Sequence, residues 1–533
     1  MPTFKLDGRE IPFEPGDTII RAAWRQGIEI PHYCWHPGLT IAANCRMCLV
    51  EIKAERPVMM PTLKWDAQKN EYVPADKPKL TPSCQAPAVA GQEVFSKSSE
   101  ALNAQAHVQE FLLLNHPVDC PICDQAGECK LQDYWLTSQG TSKRKLTEPV
   151  HKPKAVRFGP TIVYDGERCV MCTRCIRFCD EVTHDHVLDM RERGNKNEIT
   201  LSPGRELDHK YTLMTEHVCP VGALTSRDFR FKARVWFLRA AKSVCNGCAT
   251  GCNDYLDYDP RQNRVYRIRP RDNEAVNKFW MCDDGMLTYH GVHEARITHG
   301  SVRNGQPEAV AAAQAVTLAA AALARVPAAK VGLVLSAQHA SEDNLVLARF
   351  GSDVLGSDKF YMGALGGWEG DDILRNADNN PNRKGALAAV GGNARSLTEL
   401  LADIKSGAID ALLVLGGPTA EDAATLAPLR SLKAVVTLAS NVTALTQVAS
   451  IVVPVASFAE MEGTFVNAQG MAQRFDRAIR PPEGVRPAWA TLVELAKAMA
   501  KPLALTHIAE VRGALPASTK PASAHGSHEE ARA

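Results

Sequence analysis

All sixteen cysteines of this 533-residue chain lie between Cys34 and Cys282, and they include five C-x2-C pairs. No other feature restricts the chain as much. A chain that stays in a reducing compartment keeps its thiols free, so cysteines grouped at two-residue gaps read as metal ligands. The opening MPTFKLDGREIPF has no basic stretch before an apolar core and no Arg- and Ser-rich character, so neither a signal nor a transit peptide is expected. A formal net charge of +1 gives no electrostatic case for nucleic acid or an anionic membrane surface as partner. The longest near-apolar run, 309–324, is mostly alanine and is broken by Gln314 and Thr317. A membrane span needs about 20 strongly apolar residues, so this run reads as a buried helix. The chain is expected to be soluble and cytoplasmic, meeting a membrane through partners alone, and its length implies several domains.

The ligand residues fall into four sets. The first is Cys34, Cys45, Cys48 and Cys84, with RMCLVEI reading as a strand after Cys45. A C-x2-C loop with one cysteine upstream and one far downstream is the plant-type [2Fe–2S] layout, though the first gap is ten residues where four is usual. Loop closure cost rises slowly with length, so the wider loop can still wrap two irons. His36 makes half of a Rieske box, but the second pair is C-x2-C and not C-x2-H. Structural zinc stays open. The second set is His116, Cys120, Cys123 and Cys129 in HPVDCPICDQAGEC. Zinc accepts three thiolates and an imidazole; the alternative is a [4Fe–4S] cube with one imidazole corner, less negative and so higher in potential. Gly127 allows the tight turn before Cys129.

The third set starts from ERCVMCTRCIRFCDEV, the bacterial ferredoxin run C-x2-C-x2-C-x3-C, whose fourth cysteine normally serves a second cluster. No partner triplet precedes Cys219 in TLMTEHVCPVGAL, so Cys169, Cys172, Cys175 and Cys219 form one set and Cys179 is left as a spare thiol. Arg168, Arg174 and Arg177 crowd this set, and positive charge near a cluster favours its reduced state. The fourth set is Cys245, Cys248 and Cys252 in CNGCATGC with Cys282, spanning a hairpin pattern in DYDPRQNRVYRIRP. An uneven zinc ribbon is the competing reading.

Beyond Cys282 the pattern changes. VGLVLSA (331–337), ALLVLGG (411–417), AVVTLAS (434–440) and SIVVPVA (450–456) are apolar strand runs separated by helical stretches, as in a parallel α/β sheet. Gly416 and Gly417 suit strand-end turns better than a phosphate cradle. No G-x-G-x-x-G follows a strand, so NADH and flavin are expected on partners. The closing ALPASTKPASAHGSHEEARA is low in complexity and reads as a disordered tail.

Taken in order, the four sets resemble the G subunit of bacterial respiratory complex I, the large iron–sulfur subunit of NADH–quinone oxidoreductase. H-x3-C-P-x-C-D-x2-G-E-C is the most specific element, and the likeness covers residues 1 to about 290. ASFAEMEGTFVNAQGMAQRF (456–475) resembles a signature of molybdopterin oxidoreductases. The resemblance implies an α/β multidomain chain. Its parts are a plant-type ferredoxin-like (β-grasp) domain over 1–100, a histidine-ligated [4Fe–4S] domain over 101–155 and a bacterial ferredoxin-like domain over 156–237. A molybdopterin-oxidoreductase-type [4Fe–4S] domain over 238–294, a shortened α/β domain of that family over 295–500 and a tail over 501–533 follow. It implies one [2Fe–2S] and three [4Fe–4S] clusters on the four sets, no molybdenum cofactor, and no flavin. It also implies an electron-relay subunit of a proton-translocating NADH:quinone oxidoreductase, with no complete active site of its own. The implied partners are a flavin-bearing NADH-binding subunit, other peripheral-arm subunits and a quinone-side ferredoxin-like subunit. The implied place is the cytoplasmic side of the inner membrane. A subunit of an NAD-linked formate dehydrogenase or hydrogenase is the alternative, and a zinc-stabilised scaffold is the reading without redox chemistry.

Overall fold

A computed structural model describes residues 1–53, 63–74, 80–138, 148–417 and 426–519. They divide into two compact units, one up to Phe237 and one from Leu238.

In the first unit a five-stranded mixed sheet runs in the order Arg9–Pro12, Thr3–Leu6, Glu93–Phe95, Leu49–Lys53, Thr81–Pro82. Strict alternation in TFKL sends Phe4 and Leu6 inward. Phe4 and Leu6 join Ile11, Ile19, Ile20, Val50 and Val94 in one core. The expected strand after Cys45 is Leu49–Lys53, pairing antiparallel with Glu93–Phe95. The helix Ser99–Leu113 starts on a Ser98 cap that accepts from the Ala101 amide at 3.3 Å. A short turn Cys120–Ile122 and the helix Lys130–Thr137 follow. Next come a three-stranded sheet (Leu224–Ser226, Ile162–Tyr164, Val156–Arg157), the helix Arg174–Glu181 and a hairpin of Leu188–Arg191 with Glu198–Leu201.

The second unit opens with the antiparallel strands Arg239–Val244, Asn253–Asp259 and Arg264–Pro270, which realise the expected hairpin. A seven-stranded sheet follows, in the order Gln306–Val310, Gly300–Asn304, Ile451–Pro454, Ala434–Ala439, Ala411–Leu415, Val331–Ser336, Phe360–Gly363. Its five strands from Ile451–Pro454 to Phe360–Gly363 are parallel, and every residue of VGLVLS and ALLVL is buried, as a sheet covered on both faces requires. The alanine-rich run is the helix Ala312–Ala324, with Ala315, Ala319 and Leu323 in the core.

The tail reading is corrected over 501–519. Ile508–Gly513 is helical, and Leu505, Val511 and Leu515 are buried in the main core of the unit. Three apolar side chains at this spacing supply enough burial to hold a stretch whose composition suggested disorder. Residues 520–533 of that tail lie outside the described residues. No described helix is long and apolar enough to cross a membrane.

Candidate metal centres

All sixteen cysteines are free thiols, and twelve of them are buried. In the first set Cys34, Cys48 and Cys84 are buried, and the Cys34 amide donates to Cys45 Sγ at 3.5 Å. The thiols interact in two pairs. A hydrogen bond from Cys45 draws the Cys34 thiol down to about 5, and one from Cys84 draws Cys48 down to about 7. Two adjoining pairs, Cys34 with Cys45 and Cys48 with Cys84, suit a two-iron centre in which each pair takes one iron. Ala43 and Arg46 sit at left-handed φ of 51° and 58°, so the loop between the pairs is held in a conformation non-glycine residues rarely adopt. The His36 ring is half-buried, desolvation and the nearby Arg174 charge hold it neutral, and its Nδ1 accepts from the Gly38 amide at 3.1 Å.

His116, Cys120, Cys123 and Cys129 line one cavity of about 820 Å³, together with Trp135 and Trp236. Gly127 has φ 93°, as the turn before Cys129 requires. Cys129 is the N-cap residue of the helix Lys130–Thr137, and burial pushes its thiol up to about 11.

Cys169, Cys172, Cys175 and Cys219 converge on one small void, walled by Tyr164 and Ile199. Met171 and Thr173 alternate at left-handed φ of 53° and 61°, which turns successive amides to one side; the Met171 amide reaches Cys169 Sγ at 3.4 Å. Cys179 lies outside the lining, fully buried, with Sγ 3.7 Å from His209 Nε2. Of the three expected arginines, Arg168 is already compensated. It donates to Asp119 Oδ2 at 3.0 and 2.9 Å and pairs with Asp165 at 3.3 Å.

Cys245, Cys248, Cys252 and Cys282 are all buried. The Gly247 amide donates to Cys245 Sγ at 3.3 Å and the Gly285 amide to Cys282 Sγ at 3.4 Å. A Cβ on Gly285 would stand 3.0 Å from Cys245 Sγ and 3.4 Å from Cys282 Sγ, so only glycine leaves room between these thiols. The 249–251 loop is clasped by later segments of the same unit. Ala249 donates to Asp378 O at 2.8 Å and accepts from the Ala468 amide at 2.7 Å; Gln473 Nε2 donates to Gly251 O at 2.8 Å. Asn467 Nδ2 donates to Thr250 O at 3.2 Å, so the 456–475 stretch singled out in the sequence bears on the fourth set.

The donor chemistry fits iron–sulfur groups. The thiols are soft, several accept backbone N–H bonds, and burial holds most of them protonated, so binding must release protons. Among the described residues no three His, Cys, Asp or Glu donors converge on a single metal-ion position.

Sequence reasoning missed how tightly the second and third sets abut. The Lys130 amide, next to Cys129, donates to Pro220 O, next to Cys219, at 3.2 Å. A Cβ on Gly222 would stand 2.2 Å from Cys123 Sγ. The glycine in CPVGAL was the available signal.

Four family models match in series. They are a 2Fe-2S iron-sulfur cluster binding domain at residues 1–99, the NADH-ubiquinone oxidoreductase-G iron-sulfur binding region at 105–141, the NADH-quinone oxidoreductase subunit 3 ferredoxin-like domain at 159–225, and molybdopterin oxidoreductase at 302–498. Over its first half the chain is similar to the G subunit of NADH–quinone oxidoreductases. It thus carries both 2Fe–2S and 4Fe–4S binding domains. The NADH-quinone oxidoreductase G subunit of Rickettsia typhi is 37% identical over 303 residues, 56% of this chain and 41% of the relative. The mitochondrial NADH dehydrogenase [ubiquinone] iron-sulfur protein 1 of Solanum tuberosum is 35% identical over 317 residues, 59% of this chain and 40% of the relative. The chain spans about two fifths of the length of these curated relatives. Among solved structures, a chain of an NAD+-reducing [NiFe]-hydrogenase has a TM-score of 0.35 at 26% identity, over 44% of this chain and 91% of that one.

Proposed function

We propose that the chain is an electron-relay subunit holding one [2Fe–2S] cluster on Cys34, Cys45, Cys48 and Cys84, and three [4Fe–4S] clusters. The three would lie on His116, Cys120, Cys123 and Cys129; on Cys169, Cys172, Cys175 and Cys219; and on Cys245, Cys248, Cys252 and Cys282. Such clusters take up and give back single electrons. The observation that carries the relay reading is the Lys130 amide donating to Pro220 O at 3.2 Å, one hydrogen bond between neighbours of Cys129 and Cys219. The chain's own residues bury most of the ligands, donate N–H bonds to sulfur and keep the second and third sites in touch. The domain bounds read from the sequence, 1–100, 101–155, 156–237, 238–294 and 295–500, belong to this proposal. So do the absence of molybdenum, supported by the lack of any cysteine after Cys282, and the absence of flavin, supported by the lack of a G-x-G-x-x-G after any strand. Electrons would come from a flavin-bearing NADH-oxidising subunit and leave through a ferredoxin-like subunit toward quinone, on the cytoplasmic face of the inner membrane.

Anaerobic purification with iron and sulfide assay and EPR tests this. About fourteen irons with one two-iron and three four-iron signals is the expected result. About ten irons would remove the Cys245 set. Zinc in place of iron would sink the relay, and stoichiometric molybdenum would revive the molybdoenzyme alternative.

A further inference from the structure

The helix Arg174–Glu181 carries two arginines one turn apart, and both reach across to the loop that holds the first cysteine set. Arg177 Nη2 donates to Cys34 O at 2.6 Å and to Cys172 O at 3.2 Å. One nitrogen therefore joins the carbonyls of two cysteines that belong to different sets. Arg177 Nη1 donates to Thr40 O, and Nε to Thr173 Oγ1 at 3.3 Å. Arg174 repeats the pattern one turn earlier: Nη2 donates to Trp35 O and Nη1 to Val218 O at 3.2 Å, the neighbours of Cys34 and Cys219. Two more contacts tie the same surfaces, Thr40 N to Glu181 Oε2 at 2.8 Å and Asn44 Nδ2 to Met171 O at 3.2 Å.

Charge makes the arrangement unusual. Arg174 is 7% exposed, and its Nε–H meets no acceptor among the described residues. Neither guanidinium is in an ion pair among the described residues, whereas Arg168 on the same side of the site has Asp119 and Asp165. An unpaired buried cation costs several kcal/mol unless something anionic lies close. The groups whose charge bears on Arg174 are the Cys172 thiol first, then Tyr134, Arg177 and Cys219. Uncompensated positive charge between two thiol sets points to anionic centres on both sides.

We propose that Arg177 and Arg174 are the positioning pair that joins the two-iron site to the Cys169 site, holding both at a fixed separation and raising the potential of both. This rests on the relay reading above. The two carbonyls bonded to Arg177 Nη2 fix the Cys34 loop against the Cys172 loop. The shared positive charge stabilises the extra electron on either side, so the two centres shift together when it is removed.

The test is a redox titration of the full chain, purified anaerobically, with dithionite as one-electron donor and EPR readout of each centre. Arg177→Met should lower the reduced-to-oxidised ratio of both centres at a given potential by about tenfold, which is 59 mV for one electron. The His116 centre should stay unchanged, and iron content should hold. Arg177→Lys keeps the charge and should keep both ratios within about twofold of the parent. Should the methionine variant fail to load iron, Arg177→Gln, with N–H donors and no charge, is read the same way. A shift in one centre alone, equal behaviour of the Lys and Met variants, or unmoved potentials would overturn the pair's role while leaving the relay intact. A parent chain with no two-iron signal would overturn the relay reading, and this inference with it.

Discussion

Gly222→Ala bears directly on whether Cys123 is held where a cluster needs it. A methyl on Gly222 would stand 2.2 Å from Cys123 Sγ and 3.0 Å from Gln125 Cβ. Relaxed contacts begin near 3.5 Å, so the methyl and the sulfur must part by about 1.3 Å. Metal–ligand distances tolerate about 0.2 Å, so a ligand displaced that far is lost. Cys123 also faces the cavity of about 820 Å³, which gives the thiol somewhere to move and lets the fold survive. Overpacking of this kind costs about 1–3 kcal/mol. If all of it falls on cluster retention, affinity drops roughly 5- to 150-fold. The assay is iron content and EPR after anaerobic purification, with thermal unfolding beside it. Iron should fall by about four per chain with one four-iron species gone, while the two-iron signal stays. The melting temperature should fall by about 2–4 °C per kcal/mol for a unit of this size. Full iron with an unchanged spectrum would refute the reasoning, because the contact at 2.2 Å leaves no way to keep Cys123 in place.

Cys179→Ala should leave iron unchanged while Cys219→Ala loses about four irons, since Cys219 lines the void and Cys179 does not; the reverse result would undo the assignment. His116→Ala should weaken one four-iron centre and change its EPR spectrum, and His116→Cys should lower that centre's potential by adding a negative charge. Asp343 in the second unit is pushed up to about 7 by burial, and one of its oxygens, Oδ2, has no partner among the described residues. The folded state then binds this proton more tightly than the unfolded state. Stability from this group is present at low pH and lost as pH rises from about 4 toward about 7. Asp343→Asn should raise the melting temperature by more at pH 8 than at pH 5; equal effects at both would contradict this.

The gathering of the second and third sets around one cavity each was legible because short cysteine spacings keep thiols together, and the parallel strands because burial on both faces leaves unbroken apolar runs such as VGLVLS. The strand Phe360–Gly363 went unseen, since FYMG beside glycines has neither alternation nor length. The antiparallel pair Gly300–Asn304 and Gln306–Val310 was hidden for a similar reason. Its second strand is almost wholly exposed and carries no core pattern. The helix Ile508–Gly513 was lost to composition, because three buried side chains outweigh many polar neighbours. Arg174 and Arg177 were read as charge near one site. That each also bonds to the Cys34 loop joins residues about 140 apart in sequence, and no local spacing encodes it.

The clasp on the 249–251 loop has a consequence in time. The first three ligand sets are complete once Cys219 has been made, but the fourth waits for chain synthesised long after Cys282. Asp378, Asn467, Ala468 and Gln473 hold its loop, and the last of these follows Cys282 by about 190 residues. At about 5–20 residues per second, a ribosome takes roughly 10–40 s to cover that stretch. For that interval the four thiols are present without the segments that clasp their loop, open to stray zinc or oxidant. Nascent chains released before residue 467 should therefore load the first three sites normally and mis-metallate the fourth.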